Sequence, residues 1–191
     1  MTGKPGYHHG DLRRALLAAA VQAIEESGVT ALSLRDLARR AGVSHAAPAH
    51  HFGDKAGLLT ALAVEGFDLL ADRLHGAGDD MLEAGVAYVD FAVRHRAHFE
   101  VMFRPELYRA DAAEVRAANA RARAALYSGV AALPGRRAVD PGPDALAAWS
   151  IVHGFATLWL SGALPARIGG DPRGAARTVI SRLFAWSPGG H

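Results

Sequence analysis

The sequence predicts an all-α protein of about nine helices, with an N-terminal three-helix helix-turn-helix domain and a C-terminal helical domain. Three observations predict it. Apolar residues recur at three- and four-residue spacing along most of the chain. Sustained two-residue alternation and Asn-Gly or Asp-Gly turns are missing, so strands have no place to begin. Gly and Pro fall between the periodic segments, where helices stop.

The first helix is expected from Gly10 to Ser27, with Leu12, Leu16, Ala19, Ala20, Ala23 and Ile24 on its apolar face. Gly28 is suited to a left-handed cap. Arg13-Arg14 before this apolar run mimics a signal peptide, but Glu25-Glu26 stand where a cleavage site would be. The second helix opens at Ser33, with Asp36 placed as in a capping box, and ends at Gly42. Only Gly42-Val43-Ser44 precedes a third helix, His45 to Phe52, for which Ser44 is the expected N-cap. Asp54 is expected to cap a fourth, carrying Leu58, Leu59, Leu62, Phe67, Leu70 and Leu74 and ending near His75-Gly76-Ala77-Gly78. Further helices are expected over residues 80–95, 97–103, 111–133, 144–164 and 172–186, with a break at Arg104-Pro105 and a loop from Pro134 to Pro143.

Composition narrows the function classes. Half of the 191 residues are hydrophobic and 21% are charged, which suits a globular protein long enough to bury a core. The absence of cysteine excludes disulfide frameworks and thiolate zinc sites. No metal site is expected from the histidines of residues 8–51 either, because adjacent His pairs point to different sides of a helix. Residues 1–60 carry seven basic and five acidic side chains, too small an excess for a purely electrostatic coat on nucleic acid. The stretch between Asp144 and Arg167 has no charged residue and is nearly bilayer-length, but Ser150, His153, Gly154, Thr157 and Ser161 make it a poor lipid-facing segment. It is expected instead to lie between its own core and a partner subunit, in a four-helix bundle with the last helix. No membrane association and no cofactor are expected.

Two short helices joined by three residues must cross steeply, leaving the start of the second exposed. Its backbone N–H groups favour phosphate, and small residues there let it enter a major groove. The residues that carry this pattern also carry a likeness. Leu34-Arg35-Asp36-Leu37-Ala38-Arg39-Arg40-Ala41-Gly42-Val43-Ser44, followed by His50-His51-Phe52, Asp54-Lys55 and Leu58-Leu59, resembles the DNA-binding domain of TetR-type regulators. Met102-Phe103-Arg104-Pro105-Glu106-Leu107 and Trp149-Ser150-Ile151-Val152-His153-Gly154 are similar to the branch whose sensor domain is called WHG.

The resemblance implies a ligand-responsive DNA-binding transcriptional regulator, a repressor and not an enzyme. It would be cytoplasmic and bind a palindromic operator on double-stranded DNA as a homodimer. Residues 1–56 would be the DNA-binding domain and 57–191 the sensing and dimerisation domain. Ser33 and Ser44 would bond phosphates, His45, Ala46, Ala47 and His50 would face base edges with His51 beside them, and Lys55 would hold the backbone. His8 and His9 would reach the same strand. The chain departs from the family at Ala49, where Tyr is usual, and Pro48 sits in the first turn of the reading helix. For the small-molecule effector, Tyr88, Phe91, Phe99, Phe103, Tyr127, Trp149 and His153 are the candidate pocket, against the simpler reading of core packing. The competing function is an all-helical small-molecule-binding protein or enzyme without a DNA role, weakened by the lack of a nucleophile elbow, HExxH motif or phosphate loop.

Overall fold

The structure, a computed structural model, describes residues 9–131, 142–168 and 170–184. Its described residues form α1 (His9–Ala31), α2 (Leu34–Arg40), α3 (Ala47–Phe52), α4 (Lys55–Gly76), α5 (Met81–Arg94), α6 (Arg96–Met102), α7 (Ala113–Ala131), α8 (Gly142–Leu160) and α9 (Pro172–Phe184). Short 3-10 turns lie at Pro105–Leu107 and Ala166–Ile168, and no strand occurs among the described residues. Nine helices and no sheet among the described residues are the architecture expected. Most of the Pro134–Pro143 loop, the last helix beyond Phe184, and His8 lie outside the described residues. Gly142 and Pro143 belong to α8 rather than to the loop, since Pro fits a first helical turn, where its missing N–H has no partner to lose.

Contacts divide the chain into two compact units, Met1–Gly66 with Ala97–Arg116, and Phe67–Arg96 with Ala117–His191. The core of the first is built on Leu16, Leu37, Leu58 and Leu62, each fully buried, with Val29 and Leu59 at 1% exposure. Gly28 does interrupt α1, but at φ 76° and ψ 160°, not in the left-handed helical region. That backbone geometry is open essentially to glycine alone and lets one more turn follow it. Farther along this unit, α4 and α6 cross at Gly66, where a Cβ would lie 2.5 Å from Met102 Sδ.

In the second unit α5 is the central element, contacting both α8 and α9. Tyr88, Val89 and Phe91 are buried to 1% or less. Gly85 lets α9 approach, since a Cβ there would sit 2.9 Å from Ile180 Cδ1. Asp90, a buried acid, takes Arg94 Nε at 2.8 Å, Arg73 at 3.4 Å and Arg173 at 4.0 Å. One carboxylate thereby gathers α4, α5 and α9. The Arg177–Glu83 pair fastens α9 to α5 a second time and holds the Glu83 carboxyl below its usual range. No described helix is long and apolar enough to cross a membrane. α8 nevertheless exposes Leu146 and Leu158, 55% and 47% accessible.

Candidate DNA interface and effector pocket

The geometry of the head follows from one glycine and one proline. At the end of α2, Val43 N–H bonds Ala38 O at 3.0 Å and Gly42 N–H bonds Arg39 O at 3.3 Å, with Gly42 at φ 65°. This is the paired bonding of a Schellman motif; it satisfies orphan carbonyls of α2 and turns the chain away from its axis. The helix that follows starts later than expected. Its N-cap is Ala46, without a side-chain bond, and Ser44 lies in the turn, where its carbonyl accepts from Ala47 N–H at 3.0 Å. The expected N-cap role of Ser44 is therefore corrected. The physical reason is Pro48: a start at Ala47 puts this buried proline in the first turn, where no intrahelical partner is lost. Six residues, Ala41–Ala46, separate the two helices instead of three.

Ser33 does cap α2, accepting from Asp36 N–H at 3.2 Å. Asp36 does not complete a reciprocal box, because its carboxylate is taken by Arg40 at 2.6 Å and Arg39 at 2.7 Å. These two guanidiniums, Arg40 first, hold the Asp36 carboxyl below its usual range. Arg40 also reaches Glu26 at 2.7 Å, tying α2 to α1.

The chain from Ser44 to Ala46 is exposed, as are Ala49 and His50; Ala47 and His51 are half-buried. The rings of His50 and His51 meet edge to face at 5.5 Å. Ser33, Ser44, His45, Ala46 and His50 thus stand at the surface. Lys55 does so only partly, since its ammonium donates to Thr30 O at 3.1 Å and anchors the start of α4 to the end of α1. Two cations of this unit escaped the sequence reading. Arg13 sits over the Phe52 ring at 5.4 Å, and Arg109 binds both oxygens of Asp54 at 2.9 and 3.0 Å. Arg109 is 55 positions from its partner, and no local spacing pattern reports such a contact.

Of the seven proposed pocket residues, three come together. Trp149 Nε1–H donates to the Tyr88 hydroxyl at 3.0 Å, and that hydroxyl lies 2.9 Å from His153 Nδ1. A tryptophan N–H only donates, so Tyr88 accepts from Trp149, and its own O–H can donate to His153 Nδ1 when that imidazole is neutral with the proton on Nε2. Burial pushes the Tyr88 phenol well up, opposed by the bond from Trp149, and burial depresses His153. The remaining four fill other positions. Phe91 is fully buried and stacks on His95 at 5.3 Å. Tyr127 packs beside Met81 and Ala145, its hydroxyl accepting from Arg123 at 2.8 Å. Phe99 and Phe103 pair at 5.0 Å within the first unit.

A sharply turned helix pair with an exposed, small-residue second helix, in a chain with a second helical unit, defines a helix-turn-helix protein of the regulator class. Residues 16–62 match the family described as bacterial regulatory proteins, tetR family, and residues 81–183 match the tetracyclin repressor-like C-terminal domain. The chain belongs to the tetR family of bacterial regulatory proteins, which places it among regulators rather than enzymes. It is 38% identical over 80 residues to the HTH-type transcriptional regulator BetI of Escherichia coli, a match covering 38% of this chain and 41% of that protein. The chain thus spans about two fifths of the curated relatives it matches. A solved protein of unknown function from Rhodococcus sp. RHA1 is 37% identical at TM-score 0.76, over 95% of this chain and 97% of that one. A regulatory protein in the tetR family from Rhodococcus RHA1 shares the fold at 20% identity and TM-score 0.69, over 91% and 95% of the two chains.

Proposed function

We propose that this chain is a ligand-responsive repressor that binds a palindromic operator as a homodimer in the cytoplasm. The observation that carries this reading is the exposed Ser44–His50 surface, delivered by the Gly42 turn and backed by the buried Pro48 and Phe52. Ser33 and Ser44 contact phosphates, Lys55 exchanges Thr30 O for a phosphate, and His45, Ala46, Ala47 and His50 face base edges with His51 at their flank. Residues 1–56 form the reading head and 57–191 the sensing and dimerising body. α8, which carries no Lys, Arg, Asp or Glu after Asp144 and exposes Leu146 and Leu158, supports a two-fold interface formed by α8 and α9. Two heads held roughly 34–36 Å apart read successive major grooves.

In the second unit, Tyr88, Trp149 and His153 supply polar anchors for an effector, with Phe91 and Tyr127 as its proposed apolar lining. An effector changes DNA affinity only as far as it binds two arrangements differently. Selecting duplexes from a random-sequence library, then comparing the recovered duplex with an unselected one, tests the reading. A preference of about a thousandfold or more is expected. Equal affinity for both duplexes rejects it.

A further inference from the structure

We propose that Arg109 is a positioning residue for DNA binding, acting through Asp54 at the N-cap of α4. The inference rests on the reading of the head as the DNA-binding surface and names a residue outside that surface that governs it.

Four contacts converge on the start of α4, all within one unit. Asp54 caps the helix, its Oδ1 accepting from Gly57 N–H at 2.8 Å. The Arg109 guanidinium closes on the same carboxylate with both oxygens engaged, at 2.9 and 3.0 Å. Its backbone N–H then donates to Thr60 Oγ1 at 3.0 Å, and the Thr60 hydroxyl donates to Ala56 O at 2.7 Å. Thr60 is 5% exposed, so the backbone of Arg109 is pinned to a buried group while its side chain is 53% accessible. The guanidinium passes directly over Gly57, where a Cβ would be 2.7 Å from Nη1. A residue from the segment after α6 thereby covers the outer face of this turn.

The position matters because of charge. Asp54 precedes Lys55, the cation proposed to hold phosphate, and its side chain is 61% accessible. A bare carboxylate there would repel the DNA backbone and compete for Lys55. The guanidinium, its Nη2 shared between both carboxylate oxygens, offsets that charge. The pair is half-exposed, so salt weakens it. Salt dependence is therefore part of its signature.

The test uses the full chain and the duplex recovered by selection, with Arg109→Ala, Arg109→Lys, Asp54→Asn and the double variant Asp54→Asn/Arg109→Ala. Titration with excess duplex gives the competent fraction of each, so that misfolding is not read as weak affinity. Arg109→Ala is expected to bind about tenfold more weakly, the scale of one surface charge pair lost in each of two subunits. Asp54→Asn keeps the cap, since Asn ranks with Asp as an N-cap, and stays within about twofold of wild type. In that background, removing Arg109 costs no more than about twofold, and Arg109→Lys in the wild-type background recovers part of the loss. The inference is overturned if Arg109→Ala binds normally. It is equally overturned if the loss is as large in the Asp54→Asn background as with the carboxylate present, the mark of a direct phosphate contact. Wild-type protein showing no preference for the selected duplex overturns the DNA reading itself, whereas preserved preference with an indifferent Arg109 overturns only the positioning role of Arg109.

Discussion

Gly57→Ala sets a favourable local effect against a steric one, and the structure decides between them. In a helix Ala is favoured over Gly, by about 1 kcal/mol in the interior and by less in a first turn such as this one. At this position, however, the added Cβ would stand 1.9 Å from the Phe52 carbonyl oxygen, where ordinary contact begins at 3.4 Å. The turn between α3 and α4 must therefore open by about 1.5 Å. A backbone oxygen cannot rotate aside as a side chain can. Arg109 Nη1, 2.7 Å from the same Cβ, must also shift, which disturbs the guanidinium whose Nη2 bonds Asp54. We expect a net loss of about 3 kcal/mol, the upper range for overpacking, which at this chain length lowers Tm by roughly 6–12 °C. Thermal melting and duplex titration, run beside Gly66→Ala as a control, measure it. In the control the obstructing atoms are the flexible Met102 thioether and the His98 Cβ, and a smaller loss is expected. A Gly57→Ala protein that melts and binds like wild type would refute the steric argument.

Three further outcomes follow from the same contacts. Tyr88→Phe keeps the ring but removes the hydroxyl bonded to Trp149 and His153, and should cost about 2 kcal/mol in denaturant unfolding, the scale of two buried hydrogen bonds. Ser33→Ala removes the side-chain cap at the α2 N-terminus, which Asp36 does not replace, and should cost about 1 kcal/mol by the same measurement. His153 is depressed by burial, so the unfolded chain binds a proton that the folded chain resists. Stability should consequently fall as pH drops below the ordinary histidine value of 6.5, and the fall between about pH 7.5 and about pH 5.5 should be shallower in His153→Gln. An equal pH slope in both proteins would remove His153 from the account.

The sequence made the helices legible because their stops are written locally. Gly42, Gly53 and Gly78, just beyond α2, α3 and α4, all have positive φ, and Asp80 caps α5 through bonds to Leu82 N–H and Glu83 N–H. The start of α3 was misplaced because two local rules competed there. Ser44 is a good cap by residue type, but Pro48 tolerates only an early helical position, and the proline prevailed. The extent of the compact first unit was not legible at all. Residues 97–116 join it through contacts such as Arg109 with Asp54 and Thr60, which span some fifty positions and leave no periodic trace. Within the candidate pocket, residue type announced rings but not their partners. The sequence alone could not separate Tyr88, which shares a hydroxyl with two neighbours, from Phe91, which only fills space.

The reading segment is framed by two rigid devices, a glycine turn whose carbonyls are already satisfied and a buried proline whose φ cannot vary. Such a segment has little conformational freedom left to surrender when it meets a partner. On the reading proposed above, such a segment would not need large adhesive side chains, and alanines with two imidazoles would serve as contacts because the ordering cost is met during folding.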